Sequence, residues 1–387
     1  MQHNILRSAD ERVGFVELFF DLVFVYAITQ ISHLLLHHFT LLGAVETLLL
    51  FLAVWWVWIY TTWVTNRLDP DQTPVRLLLF GLMAAGLFMS MAVPQAFAGR
   101  GLVFALAYCG MQIGRTLFVW RAAQGQAVLQ RTYLRILVWF LMSAVFWIMG
   151  GLADHGARLV FWAIALAIEY TGPAAGYWTP FGGREVSTNW EVRGGHMAER
   201  SGLFVIICLG ETLLVSGATF SEMDWTLPPT LAFLGAVAGT VGMWWVYFHI
   251  GHRRSTHQIE HAADPGRLAR LAFTYLPLPI VAGVVLSAVG SELAIAHPDG
   301  HSGLPEIVAI VGGVAIFLAG NGFFKWVSAP NFPLSHMIGL GFCAALAAVS
   351  PWLVLWQVNA LAAVVLFLVA IWESKSWARG AAAEGTA

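Results

Sequence analysis

Two acidic residues near the start of the chain lie inside a long apolar stretch. Glu17 and Asp21 are four residues apart in VELFFDLVFVYAITQISHLL, so a helix would carry both on one face, with Gln30 further along. A third acid, Glu211, lies in the apolar run FVIICLGETLL. An apolar environment favours the protonated form of a carboxyl group, and a second carboxyl group nearby favours it further. These acids can carry a proton or bind a cation, or each can be structural and hydrogen-bonded to Trp or Tyr.

One basic residue, Arg115, also lies within an apolar run. A buried Arg needs an acidic partner, and near a span end it can instead extend its charged group to the membrane surface. The sequence leaves two alternatives, in which Arg115 pairs with Asp21 or Glu17, or reaches the surface.

A second group of charged residues, His196, Glu199 and Arg200, precedes the apolar run that contains Glu211. Spacings of three and four residues place His196 beside the other two on a helix. They can form a proton or ion gate at the membrane entrance. An ordinary helix start is the alternative, since Glu199 would then face the positive end of the helix dipole.

Two further motifs favour structural interpretations. Trp56 and Trp245 belong to recurring WW pairs, which can line a pore or stack on a cation but more often pack between helices. The segment HIGHRRSTHQIEH favours a solvated basic loop over a metal site. Its histidines are His249, His252, His257 and His261. The sequence therefore predicts neither a metal nor a cofactor.

The composition excludes an ordinary soluble domain. Of 387 residues, 58% are hydrophobic and 11% are charged, against about 45–50% and about 25% in soluble proteins. The formal net charge of −2 argues against a nucleic-acid partner. A bilayer core needs about 20 apolar residues per helix, and runs of that length recur. The fold class predicted is an all-α polytopic membrane protein with about twelve transmembrane helices. They cover roughly Phe15–Leu36, Gly43–Val64, Val75–Phe97, Leu102–Trp120, Leu134–Leu152, Leu159–Trp178, Ser201–Phe220, Leu231–Ile250, Leu271–Leu293, Ile307–Val327, Leu334–Ser350 and Trp352–Trp372.

The basic residues predict the orientation, because cytoplasmic loops retain Lys and Arg. Most of them fall at the N-terminus, in alternate connections and in the C-terminal tail, whereas the opposite face has Arg100 and Arg158. Both termini are therefore expected in the cytoplasm.

Short segments of the first half recur in the second half. ERVGF at Glu11 resembles ERSGL at Glu199, 188 residues later, and AVWWVWIY ending at Tyr60 resembles GMWWVYFH ending at His249, 189 residues later. The sequence thus predicts two parallel six-helix repeats, residues 1–185 and 186–387. In this alignment Asp21 and Glu211 lie at nearly the same depth, and they are predicted to face each other between the halves.

Three segments together resemble the bacterial low-temperature-requirement A (LtrA) family. They are VELFFDLVFVYAITQISHLL, WWVWIYTTWVTNRLDP and HMAERSGLFVIICLGETLL, and the resemblance covers nearly the whole chain. It implies a multi-spanning protein of the bacterial inner membrane and no defined molecular activity. The positions that match the family pattern are Glu17, Asp21, Gln30, Trp56, His196, Glu199, Arg200, Gly210 and Glu211.

The leading functional prediction is a secondary transporter or a proton- or ion-translocating protein that uses intramembrane acids. The predicted parallel repeat and the intramembrane acids of the chain favour this class of protein. The expected partners are the lipid bilayer and a proton, a cation or a small molecule. The alternatives are a membrane-embedded enzyme that acts on lipid and a non-catalytic membrane protein for cold adaptation.

Overall fold

The computed structural model describes residues 12–185, 192–249, 268–327 and 331–384, with side chains as far as residue 376. These residues form helices and two isolated β-bridges, and no β-strand occurs among them. The twelve main helices in the described ranges are α1 Phe15–His37, α2 Leu41–Arg67, α3 Thr73–Ala92, α4 Gly101–Ala122, α5 Ala127–Leu152, α6 His155–Thr171, α7 Gly194–Ser221, α8 Leu227–Phe248, α9 Pro277–Ala296, α10 Gly313–Val327, α11 Leu334–Val349 and α12 Leu355–Glu384.

The prediction of an all-α polytopic membrane protein with about twelve helices is confirmed. Eleven helical segments of the described chain are long and apolar enough to cross a membrane. The remaining helix, α6, has 17 residues and is about 25 Å long, slightly less than the thickness of a hydrocarbon core.

Some predicted helix ends are wrong by several residues, because apolar runs and helices stop for different reasons. Helix α5 begins at Ala127, seven residues before the predicted Leu134, since polar residues of good helix propensity extend it. Helix α6 ends at Thr171, seven residues before the predicted Trp178, because Gly172 and Pro173 follow.

Two spans contain a wide, π-helical turn at their start. The turn Arg270–Tyr275 leads into α9, and the turn Val308–Gly312 separates the short helix Leu304–Ile307 from α10. Such turns interrupt the regular hydrogen-bond ladder of a helix and are frequent at functional sites.

The chain divides into two compact units. Unit 1 contains the residues up to Met197, and unit 2 contains nearly all residues from Ala198 onward. In unit 1, α3 packs on α4, α4 on α5 and α5 on α6, while α2 packs on α4 and α6. In unit 2, α9 packs on α10, α10 on α11 and α11 on α12, while α8 packs on α10 and α12. The division into repeats at residues 185 and 186 stays a prediction.

Helix α2 is the central element of unit 1. Apart from Leu52 and Trp63, every residue from Leu49 to Asn66 is buried. A helix that is buried on all faces lies inside a bundle rather than at its surface. Polar side chains of α2 therefore meet other protein groups and not lipid.

Close packing of α9 on α10 depends on a glycine, and this gives a first prediction. A Cβ at Gly283 would lie 2.5 Å from the backbone nitrogen of Phe317, whereas a Cβ at Gly341 in α11 would meet nothing within 4 Å. We expect Gly283→Ala to lower the free energy of unfolding by about 1–3 kcal/mol, because α10 has to move away. Gly341→Ala is the matched control and should be neutral or slightly stabilising. Thermal unfolding in detergent measures both, and equal midpoints for the two variants would contradict the packing.

Candidate functional site

Glu169, near the end of α6, is a buried carboxylate with four side-chain donors. The hydroxyl groups of Tyr108 and Ser143 donate to it at 2.5 and 2.7 Å, the indole of Trp147 at 2.9 Å and the amide of Gln112 at 3.3 Å. A carboxylate offers about four acceptor positions, so these donors saturate it. We call these five residues the Glu169 cluster.

Arg115 connects the Glu169 cluster to α2. One guanidinium nitrogen donates to the amide oxygen of Gln112, and the other donates to the carbonyl of Val57 at 3.0 Å and the hydroxyl of Thr61 at 2.9 Å. The guanidinium carbon also lies 5.5 Å from the centre of the Tyr60 ring. The positive charge is therefore fixed between α2 and α4 and is separated from the carboxylate by one amide group.

Both alternatives that the sequence left for Arg115 are wrong. Arg115 is fully buried, so it does not reach the membrane surface, and it contacts neither Asp21 nor Glu17. Asp21 accepts a hydrogen bond from the indole of Trp58 at 2.9 Å instead.

Glu17 and His196 form a buried pair near the first turn of α1. Glu17 Oε1 lies 2.9 Å from His196 Nε2, and Glu17 Oε2 accepts from the backbone N–H of Gly14 at 2.9 Å. Both side chains are fully buried. The pair therefore keeps an acid and an imidazole in contact away from solvent.

The amide of Asn66 determines the tautomer of His196. Its nitrogen donates to the carbonyl of Arg193 at 3.0 Å and its oxygen accepts from the N–H of Arg193 at 3.2 Å, which fixes the amide orientation. The same nitrogen lies 3.2 Å from His196 Nδ1, so Nδ1 must accept. We therefore assign the proton of the neutral imidazole to Nε2, which donates to Glu17.

Glu211 in α7 has a different environment from the acids of unit 1. It is 6% exposed, and its carboxylate makes no hydrogen bond with the part of the chain that the structure describes. It shares a buried helix face with Phe204, Cys208 and Val215. The acid is thus buried on an apolar face of its own helix. Glu211 lies in unit 2 and Asp21 in unit 1, and their pairing stays a prediction.

The other residues singled out in the sequence differ in how deeply they are buried. Gln30 is half-buried, Glu199 is exposed and Arg200 is fully buried. Trp56 stacks on Tyr170 with ring centres 3.9 Å apart, which agrees with a packing role.

The two WW pairs differ in their exposure. Trp245 is 40% exposed, and its indole donates to the hydroxyl of Ser374 at 3.3 Å, whereas Trp56 is fully buried. The WW motif thus occurs in both halves of the sequence, but its tryptophans are buried only in the first half.

Three of the four clustered histidines, His252, His257 and His261, lie outside the described residues. Within the described ranges, no group of three or more His, Cys, Asp or Glu side chains is arranged to hold a metal ion.

Sequence reasoning missed the Glu169 cluster. A signal was present, because Glu169 is an acid inside the predicted span Leu159–Trp178. Tyr108, Gln112 and Arg115 are also spaced by four and three residues, which places them on one face of α4.

The saturation of Glu169 gives a second prediction. Glu169→Gln replaces an acceptor oxygen with an amide nitrogen that faces the donors, and we expect it to lower the free energy of unfolding by about 2–4 kcal/mol. Tyr108→Phe removes one donor and should cost about 1.5–3 kcal/mol. The control is Glu222→Gln, at an exposed acid just beyond α7, and it should be neutral. Chemical or thermal unfolding in detergent tests this, and a stable Glu169→Gln variant would contradict it.

Comparison with known proteins identifies the family to which this chain belongs. Residues 12–371 match the family described as bacterial low temperature requirement A protein (LtrA). The chain is also 43% identical to an uncharacterized protein of Rhizobium meliloti (strain 1021) over 364 residues, which cover 94% of this chain and 89% of that protein. No solved structure gives a significant match. The resemblance seen in the sequence is thereby confirmed, and this multi-spanning membrane protein belongs to the bacterial low temperature requirement A family.

Proposed function

We propose that this protein translocates protons or a small cation across the bacterial inner membrane as a secondary transporter. Glu211 and Asp21 are the groups that take up and release the ion. The observation that carries the proposal is Glu211, a buried residue whose carboxylate has no hydrogen-bond donor among the described residues.

A buried carboxylate without donors has only a few ways to lower its free energy. An acid at the centre of a membrane-spanning helix costs about 2.5–3.5 kcal/mol on insertion scales, and more on physical estimates. Uptake of a proton removes the charge, and binding of a cation compensates it. Both events are reversible, as transport requires.

The contrast with Glu169 supports this assignment. Glu169 accepts four hydrogen bonds from protein groups, so its charge needs no mobile partner. We therefore assign a structural role to Glu169 and the exchange of ions to Glu211, for which the described residues supply no donor.

The acids of α1 supply a further place for a proton. The neutral imidazole of His196 donates to Glu17 and orients its carboxylate, which is the group of this pair that can take up a proton. Asp21 lies one helical turn further along α1 and is oriented by Trp58. We propose that Glu17, Asp21 and His196 form the group of unit 1 that takes up and releases protons, with His196 as one of the buried residues of the predicted gate.

The proposal includes the parallel repeat, and one pair of contacts supports it. Arg115 donates to the carbonyl of Val57, and Lys325 donates to the carbonyl of Val246 at 3.1 Å. Val57 and Val246 are 189 residues apart and occupy the same position in the two WW motifs. Each unit thus fixes a buried cation on the carbonyl at the matching position of α2 or α8. Lys325 is paired with Glu373 of α12, much as Arg115 is linked to Glu169 of α6.

The orientation follows from the distribution of Lys and Arg. With both termini in the cytoplasm, Glu17 and His196 lie toward the cytoplasmic ends of their helices. A proton or cation would therefore meet this pair on the inner side of the membrane.

Flux measurements in proteoliposomes test the proposed function. We expect purified protein to mediate proton or monovalent-cation flux, and expect Glu211→Gln and Asp21→Asn each to reduce that flux to the level of empty liposomes, because neither amide can take up a proton. The matched controls are Glu222→Gln and Asp224→Asn, at exposed acids after α7, and both should retain flux.

Two results would contradict the proposal. Flux that persists in folded Glu211→Gln and Asp21→Asn protein would exclude these acids as carriers. Wild-type protein without flux for protons, lithium, sodium and potassium would favour a lipid-modifying enzyme or a non-catalytic role in the cold.

A further inference from the structure

An open apolar groove runs between α5 and α6 on the surface of unit 1. Trp139, Met142 and Phe146 line it from α5, and Ile164 and Thr171 line it from α6. Its volume is about 690 Å³, within the range of pockets that bind small molecules. The lining residues extend for about 10 Å along each helix, which fits within the hydrocarbon half of one leaflet, about 15 Å thick.

The lining of the groove suits a hydrocarbon chain. The hydroxyl of Thr171 donates to the carbonyl of Ala167 at 2.7 Å, and the indole of Trp139 donates to the carbonyl of Trp178 at 3.0 Å. No other lining side chain carries nitrogen or oxygen. The groove therefore has no hydrogen left to donate to a ligand, and it recognises a ligand by apolar contact alone.

The α5 wall of the groove continues into two arginines. Arg131 and Arg135 precede Trp139 by eight and four residues, so they lie on the same stripe of α5 as Trp139, Met142 and Phe146. This stripe is apolar along the groove and basic beyond it. One end of the groove is therefore basic.

The connection after α6 packs against this basic end. Arg135 donates to the carboxylate of Glu185 and to the carbonyl of Gly182, and Thr132 donates to the same carboxylate at 2.8 Å. These contacts place Arg184 beside the first turns of α5. The charge of Glu185 is compensated by Arg135.

Two arginines at the basic end remain available to a ligand. Arg131 and Arg184 are exposed and make no hydrogen bond or ion pair with the described part of the chain. Trp178 and Phe181, in the same connection, are also exposed. Exposed aromatic side chains beside basic residues are typical of the membrane–water interface. The basic end therefore lies at the level of the lipid headgroups.

We propose that this groove binds one phospholipid with an anionic headgroup. An acyl chain lies between α5 and α6, and the phosphate lies between Arg131 and Arg184, because a guanidinium group matches the geometry of a phosphate. A zwitterionic headgroup adds an ammonium group, which these arginines repel and with which Glu185 is not free to pair. The site is independent of the acids that we assign to ion exchange, and its binding is measured without flux.

The test uses purified protein in detergent with phosphatidylglycerol, with phosphatidylcholine of the same acyl chains, or with inorganic phosphate. Ala167→Trp fills the groove, and Arg131→Gln removes one guanidinium group from its end. The matched controls are Ala84→Trp, at an exposed position of α3, and Arg121→Gln, at the exposed end of α4. Native mass spectrometry counts the retained lipids, and thermal unfolding gives the apparent dissociation constant.

We expect phosphatidylglycerol to raise the unfolding midpoint of the wild type and of both controls, by linkage of binding to folding. The apparent dissociation constant should rise at least about tenfold in Ala167→Trp, through lost contact with the acyl chain. In Arg131→Gln it should rise about fivefold, the usual contribution of one basic residue near an anionic lipid. Both positions are exposed, so the midpoints without lipid should match the wild type.

Two results would overturn the site. Phosphatidylcholine or inorganic phosphate that stabilises the wild type as much as phosphatidylglycerol would exclude recognition of an anionic lipid. An affinity for phosphatidylglycerol that is equal in all five proteins would show that the lipid binds elsewhere.

Discussion

Hydrogen bonds between α2 and the charged side chains around it are the interactions on which unit 1 depends. The carbonyl of Val57 and the hydroxyl of Thr61 hold Arg115, and the indole of Trp58 holds Asp21. At the end of the same helix, Asn66 fixes His196. Little solvent reaches these positions in a membrane, so a charged group there is costly unless protein groups or a bound ion satisfy it. The burial of α2 on all faces makes this possible.

The buried acids fall into two physical classes. Glu169 is saturated by four protein donors, and its negative charge is part of the stable fold. Glu211 is buried on an apolar helix face, and no donor for it lies within the described residues. The charge of the first class is met by protein donors, whereas that of the second is open to a partner from solution. A group whose partner has to come from solution is able to change state, and this is the basis for assigning ion exchange to Glu211.

The sequence predicted the fold class and the family but only part of the site. Long apolar runs indicate membrane helices directly, since span length depends on the bilayer. Helix ends were less predictable, because the polar residues after Ala127 continue α5 beyond its apolar run, whereas Gly172 and Pro173 end α6 within one. The contact of Glu17 with His196 joins residues 179 positions apart, and no local pattern contains that information. Glu169 was overlooked although its type and position were visible, and its four donors depend on the packing of α4, α5 and α6.

The central claim is that the carboxylate of Glu211, which no protein donor holds, is the group that exchanges the proposed ion with the solution. Infrared difference spectroscopy of purified protein, between buffers that differ in pH or in cation, tests it most directly, because the bands of a carboxyl group change when it takes up or releases a proton or a cation. The account predicts a carboxyl signal in the wild type that is absent in Glu211→Gln. A difference spectrum without a carboxyl signal, or a signal that Glu211→Gln leaves unchanged, would contradict the account.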